Sequence, residues 1–408
     1  MSRRLVIVLV CGSIAVTLSM GVRQVFGLFL RPVTLDLETS RALFGLVVGL
    51  QNLLWGLTQP FAGLIADRSG AARVVLVGGL LYVAGLALAA ASSGIGTWGL
   101  GAGVLIGLAQ SGTAYAVVLG AIGRAAPPEH RSIALGIAAT GGSIGMFSLV
   151  PATQGLIAAF DWRGALLALA GLAIMIPLMS AGLREDIARG AAAHQGAATR
   201  EVVRLATRHP GFWMLNVGFA ACGFQLAFLS THLPSALIDS GLDASTGAAA
   251  LAMIGFANIV GTYLCGMLGA WYRKPKVLAA LYLARSALFA LFLAMPPSQA
   301  SALIFAAAIG LIWTGTVPLT SGLVGDIFGA RHLGLLFGIV YVGHQLGAFA
   351  GSWAGGFAFD RTGSYALVWI GAVLMGLLAA AIHWPISDRP VETAILKEAA
   401  AGAAPKAA

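Results

Sequence analysis

Charge is what this sequence has least of. Asp, Glu, Lys and Arg together make up 10% of its 408 residues, where an average soluble domain carries roughly 25%. A soluble surface needs more charge than this, which excludes a water-soluble protein built around one very large core. Cysteine is also sparse. Cys11, Cys222 and Cys265 all fall in apolar stretches, with no spacing that would frame a disulfide network or a metal site. The sequence has no nucleophile–base pair, metal cluster or phosphate loop with convincing spacing. That argues against an enzyme and predicts neither a cofactor nor a metal. The opening "MSRRLVIVLVCGSIAVTLSM" starts with charge as an export signal does. No cleavage site followed by a soluble domain appears, so the segment is expected to be retained as a first span.

What fills the chain is apolar sequence, 59% by composition with a mean hydropathy of +0.90. Runs of about 20 apolar residues are long enough to cross a bilayer as helices. Twelve are expected, near 5–30, 42–66, 73–93, 98–123, 132–158, 163–183, 211–235, 246–271, 277–296, 301–325, 333–358 and 364–386. Strands cannot explain such lengths, and barrel strands would alternate polar and apolar residues. The pattern predicts an all-α membrane protein with two pseudo-symmetric six-helix bundles, 1–183 and 211–386. A polar linker, 184–210, joins them, with a short surface helix around Thr199 to Thr207. An Ala-rich tail, 387–408, is expected to fray.

The net charge is +9 and the pI about 9.9. In a soluble protein that would suggest nucleic acid. Here the basic residues fall mostly in short loops, so they report topology, and the expected surroundings are a lipid bilayer. With both termini and the even-to-odd loops in the cytoplasm, only Arg31, Arg41, Arg163 and Arg361 lie outside. Arg23 and Arg285 lie within spans, and every other Lys and Arg is inside. This is the positive-inside pattern of a multi-pass protein, here expected in a bacterial inner membrane.

Small residues recur every four positions: Gly343, Gly347, Gly351 and Gly355 in span 11, Gly261, Cys265 and Gly269 in span 8, and Gly141 and Gly145 in span 5. Each set makes a flat stripe on which another helix can approach or slide. Broken helices are expected near Pro234 and Pro318, with a simple kink at Pro151, because proline removes a helical hydrogen bond. All Asp and Glu can be placed in loops, tails or span ends. Yet Arg285 falls near the middle of span 9 and Arg23 in the outer half of span 1. A charge there is expensive and marks function by default, although each could instead bond carbonyls or snorkel. With no membrane carboxylate to pair with, an anionic ligand becomes an attractive counter-ion. His344 and Gln345 in span 11 and His232 in span 7 are further candidates; a histidine could carry a coupling proton or simply bridge helices. Gln51, Asn52, Gln110, Thr113, Tyr115, Gln225, Asn258 and Thr262 complete the polar set.

The loop "GLIADRSGAARV" presents Gly63, Asp67, Arg68, Gly70 and Arg73, with Ala72 where a basic residue is usual. It resembles the loop signature of the major facilitator superfamily, which implies a cytoplasmic gate. Gly63 would permit close helix contact, and Asp67 would bond a neighbouring helix end or arginine. The alternative is a basic turn that only sets topology. The equivalent loop, "GMLGAWYRKPKV", has Ala270 where the acid is expected.

Three local stretches resemble the monocarboxylate-transporter and oxalate/formate-exchanger branch. They are "GVRQVFGLF" around Arg23, "RSIALGIAATGGSIG" through Arg131, Ala134, Gly136, Ala138, Gly141, Ser143 and Gly145, and "FDWRGALLALAGL" through Trp162, Arg163 and Gly164. That branch typically carries an aspartate and an arginine four residues apart in helix 8. Here Asn258 and Thr262 stand at those places, so the branch's proton mechanism does not carry over. The resemblance implies rocking two-bundle transport of a small organic anion, with a coupling proton or a counter-anion as co-substrate. Arg23 would attract the carboxylate, with Tyr115 and Asn258 as hydrogen-bond partners and Arg285 and Gln345 as further binding candidates. His232 and His344 are the proton candidates. A drug or amphiphile exporter on the same architecture is the second reading, and a non-transporting sensor or assembly factor the third.

Overall fold

The computed structural model describes residues 3–184, 196–329 and 333–390, and every regular element among them is helical. The first part of the expected linker and most of the expected tail lie outside the described residues. The chain runs α1 (Arg3–Gln24), α2 (Phe26–Asp36), α3 (Arg41–Ser69), α4 (Ala71–Ala90) and α5 (Ile95–Trp98). A π turn, Gly99–Leu105, leads into α6 (Ile106–Thr113), α7 (Tyr115–Ala125), α8 (Pro128–Ala173) and α9 (Met175–Met179). After α10 (Gly196–Arg208) come α11 (Pro210–Asp239), α12 (Ala244–Trp271) and α13 (Lys274–Ala294). The last four are α14 (Gln299–Leu311), α15 (Thr316–Phe328), α16 (Leu333–Thr362) and α17 (Ala366–His383).

Eleven stretches are long and apolar enough to cross a membrane. One, Ile133–Leu183, has 51 residues. At 1.5 Å per residue a straight helix of that length would reach about 77 Å, against a hydrocarbon core of roughly 30 Å. The backbone in fact leaves the helix at Asp161, where φ is 62°. The Asp161 carboxylate accepts the N–H groups of Arg163 and Gly164 at 2.7 and 3.0 Å, capping the helix that restarts there.

The glycine stripes are contact lines. A Cβ on Gly343, Gly347 or Gly351 would fall within 3.0 Å of Asn216, Ala220 or Phe224 on α11. Gly141 and Gly145 meet α1 in the same way, and Gly261 and Gly269 meet Leu311 and Leu319. The prolines behave otherwise than expected at Pro234, where α11 runs on unbroken. Pro151 also sits within continuous helix. Near Pro318 the break is real but precedes the proline, lying between Leu311 and Thr316. A second break lies at Ala114, between α6 and α7, and a third at Val25. Neither has a proline beside it.

Contacts between residues 3–184 and 196–390 concentrate at one end. There Arg41 forms a bidentate pair with Asp239 and donates to the Tyr365 hydroxyl at 2.8 Å. Gly27, Gly45, Gly49 and Gly356 let backbones meet across the same boundary. The first and last described residues, Arg3 and Pro390, lie at the other end, with the pairs Asp67–Arg124, Lys274–Asp326 and Arg273–Asp388. Each of those pairs joins residues of one part only. Among the described residues, the polar and ring contacts across the boundary stop at Asn258–Ser143 and Trp55–Tyr341. Towards the termini, Phe61, Leu64, Ile65, Ile133 and Ile137 are exposed. The two parts are therefore latched at the end away from the termini and diverge towards them.

Candidate functional site

Arg23 lies at the apex of that divergence. It occupies the last turn of α1, two residues before the break at Val25. Its Nη2 donates to Asn52 Oδ1 on α3, and its Nη1 to Gln24 Oε1 at 3.3 Å. The guanidinium sits over the Trp55 ring, 5.0 Å from the centroid, a cation–π contact. Tyr82, Tyr115 and Tyr341 lie within its electrostatic reach. Its Nε is buried with no hydrogen-bond partner, and no carboxylate among the described residues pairs with it. A cleft of ≈ 10 Å³ beside it is walled by Gln51, Asn52, Ser230 and Thr231, room for roughly one water.

The other candidates are distributed unevenly. Tyr115 opens α7 just after the Ala114 break, and its hydroxyl rests against Gly142 on α8. Gln345 is fully buried where α16 crosses Gly56 of α3. Its Oε1 accepts from His344 Nδ1 at 3.1 Å, and its Nε2 has no partner. His344 stacks on Tyr341, with ring planes 5° apart and centroids at 5.2 Å. Tyr341 in turn meets Trp55 edge-on at 5.7 Å. Arg23, Trp55, Tyr341 and His344 thus form one continuous contact path across the boundary between the two parts.

Asn258 is a joint. Its Nδ2 donates to Ser143 Oγ across the boundary at 2.8 Å. Its Oδ1 accepts from Thr314 N at 3.0 Å, Thr314 Oγ1 at 2.9 Å and Thr262 Oγ1 at 3.1 Å. It satisfies an amide that the α14–α15 break strands.

Arg285 and His232 are placed apart from the Arg23 path. Arg285 is wholly buried and is not brought to Arg23. Its Nη2 donates to the carbonyls of Ile312 and Trp313 at 2.6 and 2.9 Å, and its Nη1 reaches Cys222 Sγ and Gln225 Oε1. A helix break inside a membrane frees carbonyls that must find donors, and Arg285 supplies them. His232 is likewise fully buried, its Nε2 on the Ser352 carbonyl at 2.7 Å and its ring against Gly355. It bridges α11 and α16 near the latched end rather than joining the Arg23 path.

At the terminus-bearing end, Asp67 pairs with Arg124 at 3.0 Å, and Gly70 turns the chain with φ 94°. Arg68 and Arg73 are exposed, and a Cβ on Gly63 would meet nothing within 4 Å. A second pair at this end, Lys274–Asp326 at 2.7 Å, ties α13 to α15. Sequence reasoning missed it by seeking an acid at Ala270. It also missed Trp55, Tyr82 and Tyr341, which resemble ordinary core aromatics. The usable signal was that Trp55 follows Asn52 by about one helical turn.

Residues 12–321 match the family model of the Major Facilitator Superfamily. The uncharacterized MFS-type transporter YcxA of Bacillus subtilis (strain 168) is 25% identical over 385 residues, covering 90% of this chain and 91% of its own. Monocarboxylate transporter 13 of Rattus norvegicus is 26% identical over 377 residues, covering 89% of this chain and 86% of its own. Among solved structures, a bacterial homolog to the human lysosomal transporter Spinster, described as inward-facing and unoccupied, superposes with a TM-score of 0.76. It is 15% identical and covers 94% of this chain and 97% of its own. A D-xylose-proton symporter superposes with a TM-score of 0.70 at 17% identity, covering 93% and 97%. This chain is a multi-pass membrane transporter that belongs to the Major Facilitator Superfamily.

Proposed function

We propose that the protein is a secondary transporter of small organic anions, most suitably monocarboxylates, working by alternating access. The observation that carries this reading is Arg23: a cation at the apex of the inter-part space, with an unpartnered Nε and, among the described residues, no carboxylate paired with it. A buried charge of this kind is costly unless something completes it, and a carboxylate matches a guanidinium in charge and geometry. Asn52 supplies a further hydrogen-bonding group, and the partly buried Tyr115 is the tyrosine proposed to join it. The monocarboxylate transporters among the relatives point to the same substrate class.

The architecture we assign is twelve spans in two six-helix bundles, 1–183 and 211–386, with Asp161 as the turn between spans 5 and 6. The division is supported by an internal repeat. One separation relates Gly21 to Gly223, Gly120 to Gly322, Gly123 to Gly325, Gly141 to Gly343 and Gly145 to Gly347. Gly21 packs on Gly145 within α8, and Gly223 and Gly347 join α11 to α16 in the same manner. Arg124 and Asp326, opposite in charge, stand at the same separation, whereas their partners Asp67 and Lys274 do not. With the basic loops and both termini in the cytoplasm of a bacterial inner membrane, the conformation described is open inward. The substrate's partner is a proton or a counter-anion, and His344, on the Arg23 path, is the better-placed proton carrier of the two histidines.

A second reading, export of neutral amphiphiles, has one observation in its favour. A crevice of ≈ 500 Å³ between α8 and α12 is lined by Phe147, Pro151, Met253 and Phe256. Both readings are tested by uptake of a carboxylate panel into proteoliposomes, with and without an imposed pH gradient. Saturable carboxylate uptake supports the first. Efflux of neutral drugs with no carboxylate uptake supports the second.

A further inference from the structure

Arg285 poses a charge problem that capping the helix break does not solve. The guanidinium is 0% exposed, within a membrane-spanning helix, and its hydrogen-bond acceptors at Ile312, Trp313 and Gln225 are neutral. No Asp or Glu among the described residues pairs with it. One acidic group does touch it: the Cys222 thiol, whose Sγ lies 3.3 Å from Arg285 Nη1 and 3.2 Å from Thr316 Oγ1. His344, at the end of the Arg23 path, lies near the same sulfur.

We infer that Cys222 is a proton-binding group of the C-terminal helices in addition to His344: a thiolate balancing Arg285 in one state of the cycle and a neutral thiol in another. Cys222 Sγ lies at hydrogen-bonding distance from a buried guanidinium that has no carboxylate beside it among the described residues, and a thiolate there leaves the pair neutral. Arrival of a proton forms the S–H bond and breaks nothing else. It leaves the positive charge of Arg285 unbalanced, so the site gains one positive charge as the proton binds. Resting on the proposed anion transport, this couples the two ligands: the proton makes the interior more attractive to a carboxylate at Arg23. Tyr341, which packs on His344 and reaches Trp55, connects them.

The titratable groups facing Cys222 come from every element packed around it. Arg285 and Tyr282 approach from α13, and His344 and Tyr341 from α16. Cys265 of α12 lies behind the break against Gly315, and His383 of α17 stacks on Tyr282. Arg285 is the one fixed charge among them.

The test is the infrared S–H stretching band of purified protein in which Cys11 and Cys265 are replaced by Ala, leaving Cys222 alone. The band is expected to be absent near neutral pH, to appear on acidification, and to be present at neutral pH once Arg285→Gln is added. A Cys222 S–H band at neutral pH with Arg285 in place overturns the inference. This readout needs no transport, so it stands even where the carboxylate panel fails. In proteoliposomes, a pH gradient should accelerate carboxylate uptake by the unaltered protein and no longer do so in Cys222→Ser. Undiminished stimulation in that variant also overturns it.

Discussion

Asp360 of α16 caps the first turn of α3 from across the boundary between the two parts: its carboxylate accepts the N–H of Ala42 at 2.7 Å and that of Arg41 at 3.1 Å. The first N–H groups of a helix have no partner within it. Ser40 satisfies one, that of Leu43, and Asp360 takes two more. The same residue, Arg41, then reaches Asp239 and Tyr365 with its side chain. The latch is therefore part backbone cap and part ion pair, and the proposed alternating access requires both to break together.

Asp360→Ala should weaken this latch without unfolding the protein. Loss of an N-cap acceptor costs about 0.5–2 kcal/mol, a shift of several-fold to roughly thirty-fold in the ratio of the two states. Spin labels at Glu38 and Asp243 should report a larger population of long distances at that end. An unchanged distance distribution would mean that the cap does not hold the closed state.

Two glycines should respond in opposite ways. A Cβ on Gly347 would lie 1.9 Å from the Ala220 carbonyl oxygen. Gly347→Ala must push α16 from α11, at a cost of about 1–3 kcal/mol for overpacking. Gly63 meets nothing in this conformation, so Gly63→Leu should leave thermal stability intact or raise it by up to about 1 kcal/mol through helix propensity. It should nevertheless slow transport, because the opposite state must close the end where Gly63 lies. Normal transport by Gly63→Leu would remove that glycine from the gate.

Asn258 and Ser143 share one hydrogen bond but should not be equivalent. Ser143→Ala loses the cross-boundary bond alone, worth about 0.5–1.5 kcal/mol. Asn258→Leu also strands the Thr314 amide, with a penalty of about 1–3 kcal/mol for a buried unpaired group. Thermal unfolding in detergent should rank the two, with Asn258→Leu melting lower. Equal melting temperatures would mean that the α14–α15 break does not depend on Asn258.

How much of this was legible beforehand depended on the physics of each feature. Apolar runs declare spans because bilayer thickness dictates their length. The linker helix, expected at Thr199 to Thr207, lies within Gly196–Arg208. Arg23 was conspicuous because one charge in an apolar helix has no bland background to hide in. Arg285 was equally conspicuous, but its duty was hidden. Its partners are backbone carbonyls freed by a break, and sequence does not mark a freed carbonyl. Prolines misdirected the search, since Ala114 and Val25 interrupt their helices without one and Pro234 interrupts nothing. The Trp55–Tyr341 contact was invisible because it joins helices far apart in the chain, and each aromatic alone resembles packing.

The most direct measurement is carboxylate uptake by proteoliposomes containing Arg23, Arg23→Lys or Arg23→Gln protein, at equal amounts of folded protein. Hydrogen bonds to a charged group contribute about 1.5–3 kcal/mol. Arg23→Gln should therefore lower uptake at subsaturating substrate by roughly ten-fold to more than a hundred-fold. Arg23→Lys, which keeps the charge and loses the planar fork, should fall between. Uptake by Arg23→Gln at the unaltered rate would contradict the assignment of Arg23 as the carboxylate-binding group.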